Sequence, residues 1–360
     1  MRDEGRMARK GPPRSTWPTR LTPSRAGSAM VTGTLRPMPR ASGLPALVVR
    51  APAKVNLTLE VVGKRPDGFH ELRSVFAALA LHDRLTVSPA PDLEIECDVP
   101  ELASPANLAW RAADALRRDA GTRAGARLVL EKRIPIEAGL GGGSSDAAAA
   151  LVALDALWGL GYPRSRLREI GATIGSDVPF FLGDSPLALV TGRGEVVMPV
   201  PVPPAVRAAR FVLAKPPMGL GAGAVFRTYP PSRWAGTNDR TAAWMRAAAG
   251  APAVVDLPRP LNDLEDCAID LAPGVGAARD ALLACGAAHA VMSGSGSTFF
   301  AVLDAASATR VRDRLRAMPA TAGWFLAVTE LASMPMRAIV SPSPAGETSG
   351  HGARPRRTGA

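Results

Sequence analysis

Four glycines fall in the run Gly139-Leu140-Gly141-Gly142-Gly143-Ser144-Ser145, directly ahead of the alanine-rich stretch Asp146–Leu157. Glycine lets a backbone approach a ligand closely and adopt φ values that other residues avoid. Ser144, Ser145 or Asp146 can cap the helix that follows. The free N–H groups and positive end of such a helix favour phosphate oxygens, and successive loop amides form an anion nest. The run lacks the lysine of a Walker loop, and Gly139-x-Gly141-x-Gly143 departs from the dinucleotide spacing. A plain glycine turn followed by a helix cap stays open beside the phosphate cradle.

Two further positions could act on a transferred phosphate. In Ala51–Glu60, Lys54 and Asn56 are two apart, so on a strand they share one face. A lysine there could neutralise phosphate charge, or be an edge lysine with its head in solvent. Asp177, in Gly175-Ser-Asp-Val-Pro-Phe-Phe181, is a carboxylate that could accept a hydroxyl proton, or a helix cap. Pro179 is expected to hold Val178 extended and interrupt any helix. The turn Gly63–Gly68 runs into Phe69 and His70, an aromatic surface beside an imidazole that suits a nucleobase, or a turn with a core-packed Phe69. Met292–Thr298, containing Gly294, Ser295 and Gly296, is a second small-residue loop that suits phosphate or substrate, or a tight hairpin. Asn262–Glu265 reads as a helix cap. The four histidines, His70, His82, His289 and His351, lack metal-ligand spacing.

These residues need a scaffold of mixed strands and helices. Strand patterns cover Leu47–Val55, Leu57–Val62, Asp83–Val87, Leu93–Cys97 and Ala126–Lys132, with Leu72–Leu81 open between strand and helix. Helical patterns cover Asn107–Arg118, Ser144–Leu157 and Arg164–Ile174, and Leu187–Val190 with Val196–Val200 reads as a hairpin. After the proline-rich Pro199–Pro204, a second unit alternates strand and helix from Phe211 to Thr329, with a helix expected over Asn262–Ile269 and another within Arg233–Gly250. The fold class is α+β. We divide the chain into a disordered extension at 1–45, an N-terminal domain at 46–204 with the glycine loop, a C-terminal α+β domain at 205–332, and a disordered tail at 333–360.

The net charge of +11 does not demand a polyanionic partner. Residues 1–48 carry +7 and residues 331–360 carry +3, so residues 49–330 carry +1. No apolar run reaches the length of a membrane span. Cys97, Cys267 and Cys285 lie far apart and form no CxxC pair, which fits a reducing, cytoplasmic setting. The extension is arginine-rich and poor in acids, so a transit peptide or a later start at Met30 or Met38 stays open.

Taken in order, APAKVNLTLEVVGKRPDGFHEL, PIEAGLGGGSSDAAA, GSDVPFF, PLNDLE and MSGSGSTFF resemble the GHMP small-molecule kinase family over residues 48–330. The resemblance implies an N-terminal domain like the second domain of ribosomal protein S5, a ferredoxin-like C-terminal domain, and a cleft between them. It implies transfer of the ATP γ-phosphate, with Mg²⁺ and no assigned protein ligand for it, to an alcohol of a cytidyl-linked small molecule. Lys54 and Asp177 match the catalytic pair, Asp177 orienting or deprotonating the hydroxyl and Lys54 stabilising developing charge. Pro135, Ile136, Glu137, Ala138, Gly139 and Leu140, continuing through Gly141, Gly142, Gly143, Ser144 and Ser145, match the ATP loop. Asn56, Phe69, His70, Gly294, Ser295 and Gly296 match the substrate side. Phe69 stands where the family often has tyrosine, which keeps stacking and loses a phenolic hydrogen bond; Asp146 stands where asparagine also occurs. A kinase for homoserine, mevalonate or a sugar, and a nonenzymatic nucleotide- or RNA-binding regulator, are the competing readings.

Overall fold

The computed structural model describes residues 45–340, except residue 237. The expectations for residues 1–44 and for the tail from residue 341 fall outside the described residues.

Strands β1 (Leu47–Lys64) and β2 (His70–Ala90) form one long antiparallel pair where the sequence suggested several shorter strands. The apparent breaks are register shifts at Pro52/Ala53, Asn56/Thr58 and Val61/Gly63, bulges that bend the pair without ending it. The run Leu72–Leu81 is strand. Its apolar residues are continuous because both sheet faces are covered there, and Val75, Ala77, Ala78 and Leu79 are fully buried. Strand β3 (Leu93–Cys97), helix α1 (Leu108–Asp119) and strand β4 (Gly125–Glu131) follow, with β3 parallel to β4 and β4 paired to β2. Asn107 starts α1 by accepting the Ala109 N–H at 2.9 Å.

Helix α2 (Gly142–Trp158) is alanine-rich because it is covered on nearly every side: Ala147 to Ala150 are fully buried. Helices α3 (Arg164–Ile174) and α4 (Val178–Phe181) then lead to the hairpin β5 (Leu187–Gly192) and β6 (Val196–Pro199), with β5 added to β2. The expectation at Pro179 is corrected. Val178 is helical and opens α4, since a proline in a helix's first turn removes only an N–H that had no partner.

Helix α5 (Pro204–Ala208) precedes strand β7 (Arg210–Lys215). Next come α6 (Ala222–Thr228), α7 (Arg240–Gly250), β8 (Leu261–Asn262), α8 (Glu265–Leu271), α9 (Gly276–Ala284) and β9 (Val291–Met292). Strand β10 (Phe299–Leu303), helix α10 (Ala305–Ala317) and strand β11 (Phe325–Thr329) complete the second sheet. Its order is β11-β7-β10-β9, all antiparallel, or fourth-first-third-second in order of appearance. That is the ferredoxin-like arrangement.

Two short strands from the second half join the first sheet. Strand β8 runs parallel to β1, so Asn262 is a strand residue and the helix expected from it begins at Glu265. Strand β12 (Ile339–Val340) pairs with Leu47 and Val48, which corrects the tail expected from residue 333. Met336 is buried in the first core, its carbonyl accepts from Arg164 Nη2 at 2.7 Å, and Leu331 bridges Leu79. The apolar side chains of Met334, Met336 and Ala338 outweigh a composition that looked like loop. Among the described residues no helix is long and apolar enough to cross a membrane, and Cys97, Cys267 and Cys285 are free.

Candidate active site

On the bulged stretch of β1, Lys54 and Asn56 face the same way, and Lys54 Nζ donates to Asn56 Oδ1 at 2.8 Å. Asn56 Nδ2 donates to Ser74 Oγ at 2.9 Å, and the Ser74 hydroxyl donates to the Thr58 carbonyl. This chain of buried bonds fixes the lysine head. Asp177 Oδ2 lies 3.6 Å from Lys54 Nζ, and the Phe76 ring sits beneath the ammonium at 4.8 Å. Burial pushes the Lys54 ammonium below its ordinary pKa, with the Asp177 charge and hydrogen bond opposing. Asp177 occupies the residue before α4, yet its side chain makes no capping bond. Its carboxylate is directed at the lysine, and it is the more exposed of the two, at 28% against 5%.

The glycine loop closes against this strand. The Lys54 N–H donates to the Leu140 carbonyl at 2.9 Å. Gly141 has φ 70°, and a Cβ on it would lie 2.9 Å from Lys54 Cγ. Gly139 has φ 72°, and a Cβ there would overlap the Ser293 carbonyl oxygen. Glycine is therefore required at both positions. The second loop packs on the first: Ser293 Oγ donates to the Gly139 carbonyl at 3.0 Å, and Thr298 N donates to the Ala138 carbonyl at 3.2 Å. Asn262 holds the second loop, donating from Nδ2 to both the Met292 and Gly294 carbonyls at 2.7 Å. Its Oδ1 accepts the Leu264 N–H at 2.9 Å, a turn bond ahead of α8, whose first residue Glu265 follows Leu264 with no side-chain cap, so the cap expected over Asn262–Glu265 is corrected.

These segments line one cleft of about 1180 Å³. Lys54, Asn56, Phe69, His70, Asp177, Gly294, Ser295 and the loop from Pro135 to Ser144 all reach it. Ser145 and Gly296 do not: Ser145 is fully buried in the first turn of α2, and Gly296 backs onto Met292. At one end of the cleft the His70 ring stacks on Phe226 of α6, with centroids 5.4 Å apart and planes 25° apart. Burial, helped by the charge of Lys64, pushes the His70 imidazole below its ordinary pKa, which favours its neutral form. Tyr229 and Trp234 extend this apolar end. Phe69 is half exposed at the rim, with the Arg193 guanidinium 5.1 Å from its ring centroid.

Residues 107–184 match the GHMP kinases N terminal domain, and residues 242–321 match the GHMP kinases C terminal domain. The 4-diphosphocytidyl-2-C-methyl-D-erythritol kinase of Pelotomaculum thermopropionicum is 43% identical over 277 residues, which is 74% of this chain and 92% of that one. The enzyme of the same name from Salinispora arenicola is 44% identical over 280 residues, 75% of this chain and 88% of that one. The chain belongs to the 4-diphosphocytidyl-2-C-methyl-D-erythritol kinases, within the GHMP kinase family. A crystal structure of 4-(cytidine 5'-diphospho)-2C-methyl-D-erythritol kinase superposes with a TM-score of 0.65 at 36% identity, covering 79% of this chain and all of that one. A homoserine kinase from Cytophaga hutchinsonii has a TM-score of 0.62 at 17% identity over 84% of this chain and all of its own, a likeness of fold alone.

As a member of these kinases the chain is an ATP-dependent phosphotransferase. Several residues of this kinase's cleft escaped the sequence reading. Lys132, at the end of β4, places its ammonium between two buried carboxylates, Asp83 of β2 and Asp146 of α2, with Asp146 Oδ2 at 2.7 Å. Burial works against the Lys132 charge, but Asp146 and Asp83 outweigh it and hold its pKa above the ordinary value. One ammonium cannot neutralise two carboxylates. Burial therefore pushes Asp146 up to about 7, against the pull of Lys132 and with the push of Asp83. Asp146 Oδ1 and Ser145 Oγ are buried and have no hydrogen-bond partner among the described residues. Phe226 had a readable signal: Ala222, Gly223, Phe226 and Arg227 line the cleft as one helical face. Trp234 reaches the cleft, whereas α7 packs behind it, capped by the buried Glu60, whose carboxylate accepts the Arg240 and Thr241 N–H groups at 3.1 and 2.7 Å.

Proposed function

We propose that this kinase moves the γ-phosphate of ATP to the 2-hydroxyl of 4-diphosphocytidyl-2-C-methyl-D-erythritol. The observation that carries the reading is the convergence, in one cleft, of the glycine loop, the Lys54–Asp177 pair and the His70–Phe226 stack. The loop amides and the start of α2 suit the ATP phosphates. The aromatic end suits a pyrimidine, with the neutral imidazole able to donate and accept at its edge. Asp177 takes the proton of the 2-hydroxyl as its oxygen bonds to the γ-phosphorus. The bond from that phosphorus to the bridging oxygen breaks, and ADP leaves with the electron pair. Lys54 offsets the negative charge on the moving phosphoryl group and keeps Asp177 aimed at the alcohol.

Magnesium belongs to the same reading. Among the described residues no three acidic, histidine or cysteine side chains gather to cage a metal. Asp146, which reaches the cleft beside the phosphate loop, has an Oδ1 with no partner among the described residues and would supply one hard oxygen donor, a sparse protein set of the kind that magnesium takes when phosphates and water complete its shell. The ion would neutralise charge on the phosphate oxygens. A cytoplasmic setting is part of this reading, supported by the three free cysteines.

The test is a product assay with Mg-ATP and the cytidyl substrate, locating the new phosphate by phosphorus NMR, with homoserine, mevalonate and galactose as parallel acceptors. Phosphorylation of the cytidyl compound alone at its 2-hydroxyl is expected. Turnover of another acceptor and none of the cytidyl compound rejects the substrate. Nucleotide binding without transfer to any acceptor favours the regulator.

A further inference from the structure

We propose that Arg193 binds the diphosphate of the cytidyl substrate, an assignment that rests on the substrate reading above. Arg193 lies in the turn between β5 and β6, and its side chain lines the cleft. The turn is fastened on two sides. Gly192 N donates to Glu71 Oε1 at 3.0 Å, and Glu71 Oε2 pairs with Arg65 Nη1 at 2.8 Å, which ties the turn to the hairpin that carries Phe69 and His70. The Arg193 N–H donates to Glu195 Oε2 at 2.7 Å, and Arg193 Nη2 donates to the Ala172 carbonyl at 3.0 Å.

The guanidinium is thus held in place without being neutralised at close range. Its carboxylate partner Glu195 stands 4.0 Å from Nε, outside hydrogen-bond distance, and the Phe69 ring supports the guanidinium plane. No hydrogen bond is made by Arg193 Nη1 among the described residues. A guanidinium of this kind presents its remaining N–H groups as a fork suited to phosphate oxygens.

Its place along the cleft decides between ligands. Phe69 lies on one side of it, next to the nucleobase end at His70 and Phe226. On the other side is Gly194, where a Cβ would lie 3.3 Å from Asp177 Oδ1, at the end where the alcohol reacts. A molecule with a pyrimidine at the first end and its reacting hydroxyl at the second must carry its linker past Arg193. In the cytidyl substrate that linker carries, between the ribose and the methylerythritol, a diphosphate with two negative charges. Lys64 and Arg227 also reach the cleft, but among the described residues no hydrogen bond or ion pair from either side chain fixes its head. Arg193 is the cation already ordered for the task, so its binding loses less entropy.

The experiment uses the full chain and calorimetric titration with cytidine, CMP and CDP, alongside the kinase assay on the parent protein. Arg193→Gln is expected to weaken CDP by about tenfold or more, the value of a charge-assisted pair, while cytidine binds as to the parent. Arg193→Lys keeps the charge and loses the fork, so its CDP affinity is expected between the two. Should Arg193→Gln melt early, Arg193→Lys decides alone: a CDP loss with cytidine unchanged supports the assignment, and parental CDP affinity overturns it. Equal losses for cytidine and CDP also overturn it, since Arg193 would then act only through the Phe69 surface. Failure of the parent to phosphorylate the cytidyl compound removes the substrate reading itself, and the diphosphate assignment falls with it.

Discussion

Replacing Asp146 with asparagine should change how stability depends on pH, and the size of the change follows from three side chains. Asp83 and Asp146 share the single ammonium of Lys132, and all three are buried. Burial raises Asp146 to about 7, against 3.8 for an ordinary aspartate. Between roughly pH 4 and 7 the folded protein therefore binds one proton more at this site than the unfolded chain does. Stability falls with rising pH wherever the folded state holds the extra proton, by about 1.4 kcal/mol per pH unit. Across pH 5 to 7 the loss is about 2–3 kcal/mol, and above pH 7 it stops growing because both states are then deprotonated. Asparagine has nearly the same shape and cannot ionise. The stability of Asp146→Asn relative to the parent should therefore rise by about 2–3 kcal/mol between pH 5 and pH 8. Any fixed offset from the amide cancels in that difference. The measurement is urea unfolding of both proteins at pH 5, 6, 7 and 8, with EDTA and no nucleotide. Parallel curves for variant and parent would refute the reasoning, because they would mean that Asp146 is already ionised at pH 5 in the folded protein.

Three further outcomes follow from the site. Asp177→Asn should lower turnover by about 10²–10⁴-fold, the range for losing a general base, and leave ATP affinity unchanged; parental turnover removes Asp177 from the reaction. Phe226→Ala should raise KM for the cytidyl substrate by about tenfold, the worth of one stacked base, without moving KM for ATP; a change in the ATP constant instead would put the nucleobase end elsewhere. Asn262→Ala leaves the Met292 and Gly294 carbonyls without their donor, so it should cost about 1–3 kcal/mol in denaturant unfolding and lower kcat as the second loop loosens. A parental midpoint would show that those carbonyls find other partners.

What could be read from the chain, and what could not, divides by sequence distance. Lys54 and Asn56 were placed on one face by a spacing of two, and they are hydrogen-bonded to each other. The glycine loop and α2 were likewise local features, and the alternation of strands and helices after residue 210 carries the ferredoxin-like order. By contrast, Lys132 and Asp83 are 49 residues apart and Asn262 and Gly294 are 32 apart, so no window of the sequence contains either pair. Asn262 is the instructive case. Its reading as a helix cap missed both of its roles, because a side chain with separate donor and acceptor atoms can make a local turn bond with Oδ1 and hold a distant loop with Nδ2. The proline at 179 misled for a related reason: its local rule forbids a helix interior, whereas here it stands in a first turn. Local propensity thus located the groups proposed to touch phosphate, and long-range pairing set the groups that hold them in place. Substitutions at Asn262, Lys132 and Glu71 should therefore disturb catalysis through geometry, with effects on kcat that conservative replacements at the same positions partly restore.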